Sequence, residues 1–229
     1  MMSGWTELAN ARWMATACTV LLAAVIPLQM LGCSTKPPRY SGFLGDYSNL
    51  KPDPQESSIL YWEKPNVDWK RYTRLMIDPA AVYWHPEAKG TDIDPAELKA
   101  LADYFRTTVV DAVKDRYPVV EQPGPDVLRI RAAITDVIPA GRAVNVAVSA
   151  AVLFPMAVDV GGASMEVMFL DSVTNDRLAT AVDSRRGSWW KPKDQWWRGY
   201  TKHGHTKSAF EQWAKLLRMS LDEVHPTPK

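Results

Sequence analysis

Two stretches of the chain carry apolar residues at the three-to-four spacing of an amphipathic α-helix. The first opens on Asp94-Pro95, an N-cap followed by the residue favoured at the first helical position, and is stopped by Pro118. The second covers residues 206–224 and is stopped by Pro226. The two predicted apolar stripes consist of Leu98, Leu101, Phe105, Val109, Ala112 and Val113, and of Phe210, Trp213, Leu217, Leu221 and Val224.

Alternation of apolar and polar residues predicts β-strands in much of the remaining chain. Between residues 128 and 134 the even-numbered positions are apolar, while Arg129 and Arg131 lie on the other face. Residues 173–176 have the composition of a hairpin turn, and Asp78-Pro79 predicts a bulge or an edge position. The predicted strands are 59–62, 73–77, 81–84, 127–138, 162–171 and 177–183.

The order of these elements is strands, helix, three strands, helix. This order predicts a single α+β domain over residues 59–229, with a mixed, mostly antiparallel sheet and two amphipathic helices on one face. A domain of this size buries enough surface to be stable without a disulfide.

The N-terminal segment has the layout of a secretory signal. No charged residue occurs from Trp13 to Gly32, directly after Arg12. The following Gly32-Cys33 resembles the bacterial lipobox, and this resemblance implies cleavage after Gly32 and lipid attachment at Cys33, with palmitate among the acyl chains. We therefore expect a signal peptide over residues 1–32.

An uncleaved transmembrane helix is the alternative for the same segment, because about twenty uncharged residues can span a bilayer. Arg12 precedes the segment, and Lys36 and Arg39 follow it, so flanking charge does not decide its orientation. Pro27 and Gln29 weaken the helix interpretation. A cysteine directly after glycine, where the apolar run stops, favours the lipobox.

Residues 33–58 have the composition of a tether, with four prolines among small and polar residues. Large apolar side chains interrupt this composition more often than in a pure linker. They are Tyr40, Phe43, Leu44, Tyr47 and Leu50. We therefore expect this arm to lie on the domain.

Composition and charge exclude several classes of protein. The chain has 27 Lys and Arg against 26 Asp and Glu, a balance that argues against a dedicated nucleic-acid-binding protein. Hydrophobic residues are 46% and charged residues 23%, so the chain is not wholly disordered. Cys18 would leave with the signal and Cys33 would carry lipid, which leaves no thiol for a disulfide, a nucleophile or a metal site.

Several segments of the chain, spread over most of its length after Cys33, carry a resemblance to a known family. They are Tyr40-Ser41-Gly42-Phe43-Leu44, Asp46-Tyr47-Ser48, Arg74-Leu75-Met76-Ile77-Asp78-Pro79, residues 98–105, Gly161-Gly162-Ala163-Ser164-Met165-Glu166, Ala181-Val182-Asp183-Ser184-Arg185 and Trp213-Ala214-Lys215. Together they resemble an uncharacterised bacterial lipoprotein family, domain-of-unknown-function family 3313. The resemblance implies an envelope location and a single domain, and it brings no catalytic residue, cofactor or substrate.

Candidate chemistry is sparse. His203-Gly204-His205 has the spacing of two metal ligands, although a solvated loop explains it as well. The acids Asp171, Asp176 and Asp183 flank the predicted hairpin and are candidates for acid–base work or for ordinary turn and surface positions. Glu166 is expected to be an exposed or paired strand residue.

Two segments are candidates for contact with other molecules. Residues 143–158 carry no charge and predict a buried strand or covering loop, or an apolar lip that touches a membrane or partner. Residues 189–198 hold three bases and four tryptophans, which predict core packing from a loop, a membrane–water interface, or contact with a glycan or protein. The four tryptophans are Trp189, Trp190, Trp196 and Trp197.

We therefore expect a lipid-anchored envelope protein with a binding or structural role, without enzymatic activity, metal, cofactor or nucleic-acid partner. Its expected contacts are the membrane, through Cys33, and an envelope protein or glycan. Ser34 favours the outer membrane, with the domain facing the periplasm, and inner-membrane anchoring is the alternative. Two other functions stay open: an envelope hydrolase that uses the hairpin aspartates or His203 and His205, and an assembly factor for an envelope complex.

Overall fold

The structure, a computed structural model, describes residues 39–54, 56, 58–141, 161–186 and 202–226. Within these ranges, one mixed sheet and two long helices account for the main elements. The strands are β1 (Lys51–Pro52), β2 (Leu60–Glu63), β3 (Arg74–Ile77), β4 (Ala81–Val82), β5 (Val127–Ile138), β6 (Gly162–Asp171) and β7 (Arg177–Arg186). The helices are α1 (Pro95–Val113) and α2 (Gly204–Val224), and a 3-10 turn spans Trp69–Arg71.

The sheet is mostly antiparallel, as the alternation of residues predicts. Its described strands follow the order β1-β2-β7-β6-β5-β3, and β4 also pairs with β5. Only β3 and β4 run parallel to their neighbour among these pairs. Ile77 pairs with Ile130, and Ala81 pairs with Ala133. The connection from β3 to β4 therefore contains one residue more than the stretch of β5 that faces it. This extra residue at Asp78–Ala80 agrees with the predicted bulge, which is one of the two alternatives for Asp78-Pro79.

Helix α1 begins where the sequence predicts. The Asp94 carboxylate accepts hydrogen bonds from the backbone N–H groups of Ala96 (2.9 Å) and Glu97 (3.2 Å), and Pro95 occupies the first helical position. Helix α2 begins two residues before the predicted start at residue 206.

Both helices pack on the same face of the sheet, which confirms the predicted architecture. The apolar face of β5 contributes Leu128, Ile130, Ala132 and Ile134 to one core. Residues of both helical stripes join this core, among them Leu101, Phe105, Val109, Val113, Phe210, Trp213 and Leu221.

The opposite face of the sheet is covered by the arm that precedes β1. Leu44 is buried there against Met168, Leu170 and Val182. The expectation that the arm lies on the domain is thus confirmed for its described residues. The folded unit includes every described residue from Arg39 onward, so the expected domain boundary at residue 59 falls inside it.

A buried carboxylate joins β7 to α2. Asp183, only 2% exposed, accepts hydrogen bonds from Trp213 Nε1 (2.8 Å) and from Arg185 Nε (2.6 Å). Arg185 also pairs with Glu56 at 2.8 Å, so the network reaches the segment before β2. Asp183 is therefore neither a solvent-facing acid nor a free one, and its position ties the helix layer to the sheet.

Replacing Trp213 by Phe should lower the free energy of unfolding by about 1–3 kcal/mol, because the buried Asp183 carboxylate loses a donor. Urea melts measure the loss. Trp69→Phe is the matched control, since its indole donates to an exposed carboxylate, Glu63 (2.6 Å), which water can solvate in the variant. Equal losses in the two variants would contradict a special role for the Trp213 hydrogen bond.

Candidate functional site

A groove of about 1300 Å³ lies between the sheet and the C-terminal half of α2. Side chains of β2, β5, β6 and β7 line its floor, and residues of α1 and α2 line its sides. Ala179 and Ala181 have small side chains, which leave space above the sheet at this point. Trp69 lies at the margin of the groove. The apolar residues that line the groove include Tyr61, Phe169, Ala179, Ala181, Leu216 and Leu217.

The groove borders a part of α2 whose apolar side chains are incompletely buried. Phe210 and Trp213 are buried in the core. One to two turns later, Leu216 and Leu217 are only half-buried, and Met219 is 54% exposed. Leu221, farther along α2, is buried in the core again, so the incompletely buried part of the apolar stripe lies between Trp213 and Leu221.

Most of the charged side chains named here at the margin of the groove form ion pairs or hydrogen bonds with neighbouring residues. They include several carboxylates and one arginine, Arg106, whose Nε donates to the carbonyl oxygen of Ile77 (3.3 Å). The paired acids are Asp78 with Arg129 (2.8 Å), Glu56 with Arg185 (2.8 Å) and Asp222 with Arg218 (2.8 Å). The groove thus presents mainly hydrocarbon surface inside and carboxylates at its edge.

The other face of the sheet holds a second buried carboxylate, Glu166, at the centre of β6. Its side chain is fully buried. Oε1 accepts a hydrogen bond from the Ser41 backbone N–H (2.7 Å), and Oε2 accepts one from the Tyr47 hydroxyl (2.7 Å). The Tyr47 oxygen in turn accepts from the backbone N–H groups of Gly42 (2.8 Å) and Leu44 (3.2 Å). We call this arrangement the Glu166 clasp, and it fastens the arm to the sheet.

Two glycines make the turn of the clasp possible. Gly42 and Gly45 have φ values of +94° and +76°, in the region that glycine adopts without strain. The Gly45 N–H donates to the Gly42 carbonyl (3.1 Å) and closes the turn. This geometry directs the N–H groups of Ser41, Gly42 and Leu44 toward Tyr47 and Glu166.

The structure separates the hairpin aspartates. Asp183 pairs in register with Met165, six residues along β6 from Asp171, which places the two roughly 20 Å apart at about 3.3 Å per residue. Asp176 lies at the surface beside Lys64 (2.5 Å). These three carboxylates are not brought together into an acid–base pair.

Asp171 itself has a structural explanation. It accepts hydrogen bonds from the Tyr72 hydroxyl (2.9 Å) and from the backbone N–H groups of Val173 (3.0 Å) and Thr174 (2.9 Å). Burial acts to raise the pKa of Asp171, but the hydrogen bonds from Thr174 and Tyr72 outweigh it and hold that pKa below its usual value. The residue therefore organises the predicted hairpin turn.

The two candidate histidines are divided between different environments. His203 Nε2 lies 2.8 Å from Glu97 Oε1, and its burial holds the pKa of the imidazole below its usual value although Glu97 opposes this. His205 is buried in the first turn of α2, so the solvated-loop interpretation is wrong for it. Across the described residues, no group of three or more His, Cys, Asp or Glu side chains is arranged to hold a metal ion.

The remaining predicted sites lie outside the described residues. These are Cys33, the uncharged stretch 143–158, and Trp189, Trp190, Trp196 and Trp197. None of the helices that the structure describes combines the length and apolarity needed to cross a bilayer.

Residues 39–217 match the family described as "Protein of unknown function (DUF3313)". The chain belongs to this family. The match confirms the resemblance drawn from its sequence segments. Several of these segments meet in the structure, because Ser41 and Tyr47 bind Glu166, and Trp213 binds Asp183.

The chain is also similar to two curated proteins, each named "Uncharacterized lipoprotein YdcL", from Escherichia coli strains K12 and O157:H7. Identity is 33% over 115 residues, which cover 48% of this chain and 51% of each relative. The chain thus spans about half the length of the curated relatives it matches.

Solved structures show only weaker likeness. A variant of the PelC dodecamer from Paraburkholderia phytofirmans is 10% identical, with a TM-score of 0.40, and the match covers 70% of this chain and 95% of that one. A putative neuraminyllactose-binding hemagglutinin homolog from Helicobacter pylori is 9% identical, with a TM-score of 0.31, over 69% of this chain and 85% of that one.

Sequence reasoning missed both the groove and the clasp. The half-buried Leu216 and Leu217 follow the same helical period as the core residues, so the pattern alone does not show which residues of the stripe are incompletely covered. A signal for the clasp does exist, since an acid inside a strand between apolar residues and a glycine-rich aromatic arm both lie among the family segments.

Tyr47→Phe should lower the free energy of unfolding by about 1–3 kcal/mol at neutral pH, because Glu166 Oε2 loses its donor. Burial and the hydrogen bond to Glu166 raise the pKa of Tyr47 to about 12, from an ordinary value of 10.0. The native state therefore favours the neutral hydroxyl. Its stabilising effect is complete below pH 10 and is lost as the pH rises toward about 12.

Urea melts of wild type and variant across this pH range test the expectation. The difference between them should narrow above pH 10. Tyr40→Phe is the control, since the Tyr40 ring stacks on Tyr47 (4.1 Å) but its hydroxyl makes no hydrogen bond within the described residues. A similar loss in both variants would show that the hydrogen bond from Tyr47 to Glu166 makes no special contribution to fastening the arm.

Proposed function

We propose that this protein is a lipid-anchored component of the bacterial cell envelope that binds a single-chain apolar amphiphile in the groove beneath α2. The groove is the observation that carries the proposal. At about 1300 Å³ it exceeds the roughly 300–1,000 Å³ of ordinary small-molecule pockets, which suits an elongated ligand.

The anchoring half of the proposal is supported by sequence and family. Gly32-Cys33 ends the uncharged N-terminal stretch, and the curated relatives are named lipoproteins. The lipid would be attached at Cys33, and Ser34 favours the outer membrane, with the domain in the periplasm. Under this proposal the protein is a binding protein and not an enzyme.

The apolar lining supports an acyl chain as the bound part of the ligand. An extended hydrocarbon chain would lie over Ala179 and Ala181 and contact Phe169 on one side and Leu216 on the other. Such contacts remove apolar surface from water on both partners, at about 25 cal/mol per Å² of buried area.

The margin of the groove indicates the charge of the ligand's head group. Glu63 and Glu223 line it in addition to the paired acids, and Arg106 is the arginine among the described lining residues. Carboxylates repel an anionic head group. We therefore propose an uncharged or zwitterionic head group that stays at the solvent side of the groove.

Binding of a fluorescent monoacylglycerol analogue to the purified protein tests this function. Ala181→Trp places an indole on the floor of the groove and should weaken binding by at least about tenfold. Ala100→Trp is the matched control, because Ala100 is exposed on α1 and should leave binding unchanged. A fatty acid of the same chain length should compete less well than the uncharged monoacylglycerol.

Circular dichroism and urea melts establish that both variants remain folded. The proposal fails if the wild-type protein does not bind the analogue. It also fails if folded Ala181→Trp binds it as tightly as the wild type. Equal competition by the fatty acid would overturn the head-group assignment while leaving the acyl-chain site in place.

A further inference from the structure

The start of the described chain lies very near the proposed anchor. Six Cα-to-Cα steps separate Cys33 from Arg39, and they span at most about 22 Å when fully extended. If Cys33 is lipidated, as the proposed function holds, Arg39 must stay within that distance of the lipidated cysteine.

The position of Arg39 on the domain is well defined by its neighbours. Its guanidinium pairs with Glu87, in the loop that follows β4. The next residue, Tyr40, stacks on Tyr47 with ring centroids 4.1 Å apart. The chain therefore enters the domain between the Glu166 clasp and the loop after β4, on the sheet face opposite the helices.

Exposed aromatic side chains gather at this entry point. The described residues include four exposed large hydrophobic side chains, and two of them are Tyr40 (37%) and Tyr83 (50%). The Phe43 ring packs edge-on against Tyr83 with centroids 5.3 Å apart. We call Tyr40, Phe43 and Tyr83 the aromatic edge.

The charges around the aromatic edge are balanced. Arg39 pairs with Glu87, while Arg131 lies 5.9 Å from the Phe43 ring and 3.4 Å from Asp78. Tyrosine rings and arginine side chains are favoured at the level of lipid head groups, where the apolar body is buried and the polar end stays hydrated. A balanced patch of this kind suits a membrane surface without requiring a strong excess of anionic lipid.

We propose that the aromatic edge rests on the surface of the membrane that holds the Cys33 anchor. The inference rests on the proposed anchoring and adds an orientation to it. In this orientation the aromatic edge lies toward the bilayer, and the hairpin turn after Asp171, at the far end of β6, lies away from it. The groove, which lies on the helix face, opens to the aqueous side.

Fluorescent labelling of the full-length lipidated protein in vesicles of phosphatidylethanolamine and phosphatidylglycerol tests the orientation. Lipidation blocks Cys33 and signal cleavage removes Cys18, so an introduced cysteine is the unique labelling site. Tyr83→Cys carries the label at the aromatic edge. Val173→Cys is the matched control, since it is 58% exposed and lies in the hairpin turn beyond Asp171.

The register places this control far from the edge. The Tyr83 N–H binds the carbonyl of Ile134, which pairs with Met165, six residues along β6 from Asp171. That separation is roughly 20 Å. With a nitroxide carried on lipid head groups, the label at position 83 should be quenched at least about twofold more than the label at position 173.

Mass spectrometry of the N-terminal peptide separates the two ways in which the experiment can fail. An unmodified Cys33 would overturn the proposed anchoring, and this inference with it. A lipidated Cys33 combined with equal quenching at positions 83 and 173 would overturn the orientation alone and leave the anchoring intact.

Discussion

A carboxylate buried in the middle of a sheet needs hydrogen-bond donors, and Glu166 takes its donors from a segment more than a hundred residues earlier in the chain. Removing one partner of a buried charged group costs several kcal/mol when the charge stays unpaired. If the arm left the sheet, Glu166 would lose the two hydrogen-bond donors that the arm supplies. This constraint makes residues 39–50 part of the folded unit.

The fastening of the arm gives the two faces of the sheet different surroundings. On the arm face, Leu44 closes a small core, and the chain runs back toward the proposed lipid anchor. On the helix face, α1 and α2 cover the central strands and leave β2 and β7 partly open. A ligand site and an anchor on opposite faces do not compete for the same surface. Under the proposed function, this division leaves the groove free to bind a molecule from solution while the domain is anchored.

The elements of the fold follow from local patterns, which is why they could be predicted. The periods of α1 and α2, the Asp94 cap and the alternation in β5 and β6 each involve residues close together in sequence. The partners of Glu166 and Asp183 depend on long-range packing, which no local pattern contains. Local context therefore indicates an exposed or paired strand position for Glu166 and an acid–base or surface role for Asp183, whereas in the structure both acids are buried and bind side chains from distant segments. The hairpin aspartates show the same limit, since only the register reveals how far apart Asp171 and Asp183 lie.

Hydrogen–deuterium exchange of the full-length protein tests most directly whether the arm is fastened by the Glu166 clasp. The amides of Ser41, Gly42 and Leu44 donate to Glu166 or Tyr47, so they should be protected to nearly the same degree as the amides of β6. Arm amides that exchange at the rate of an unstructured peptide, while those of β6 stay protected, would contradict the account.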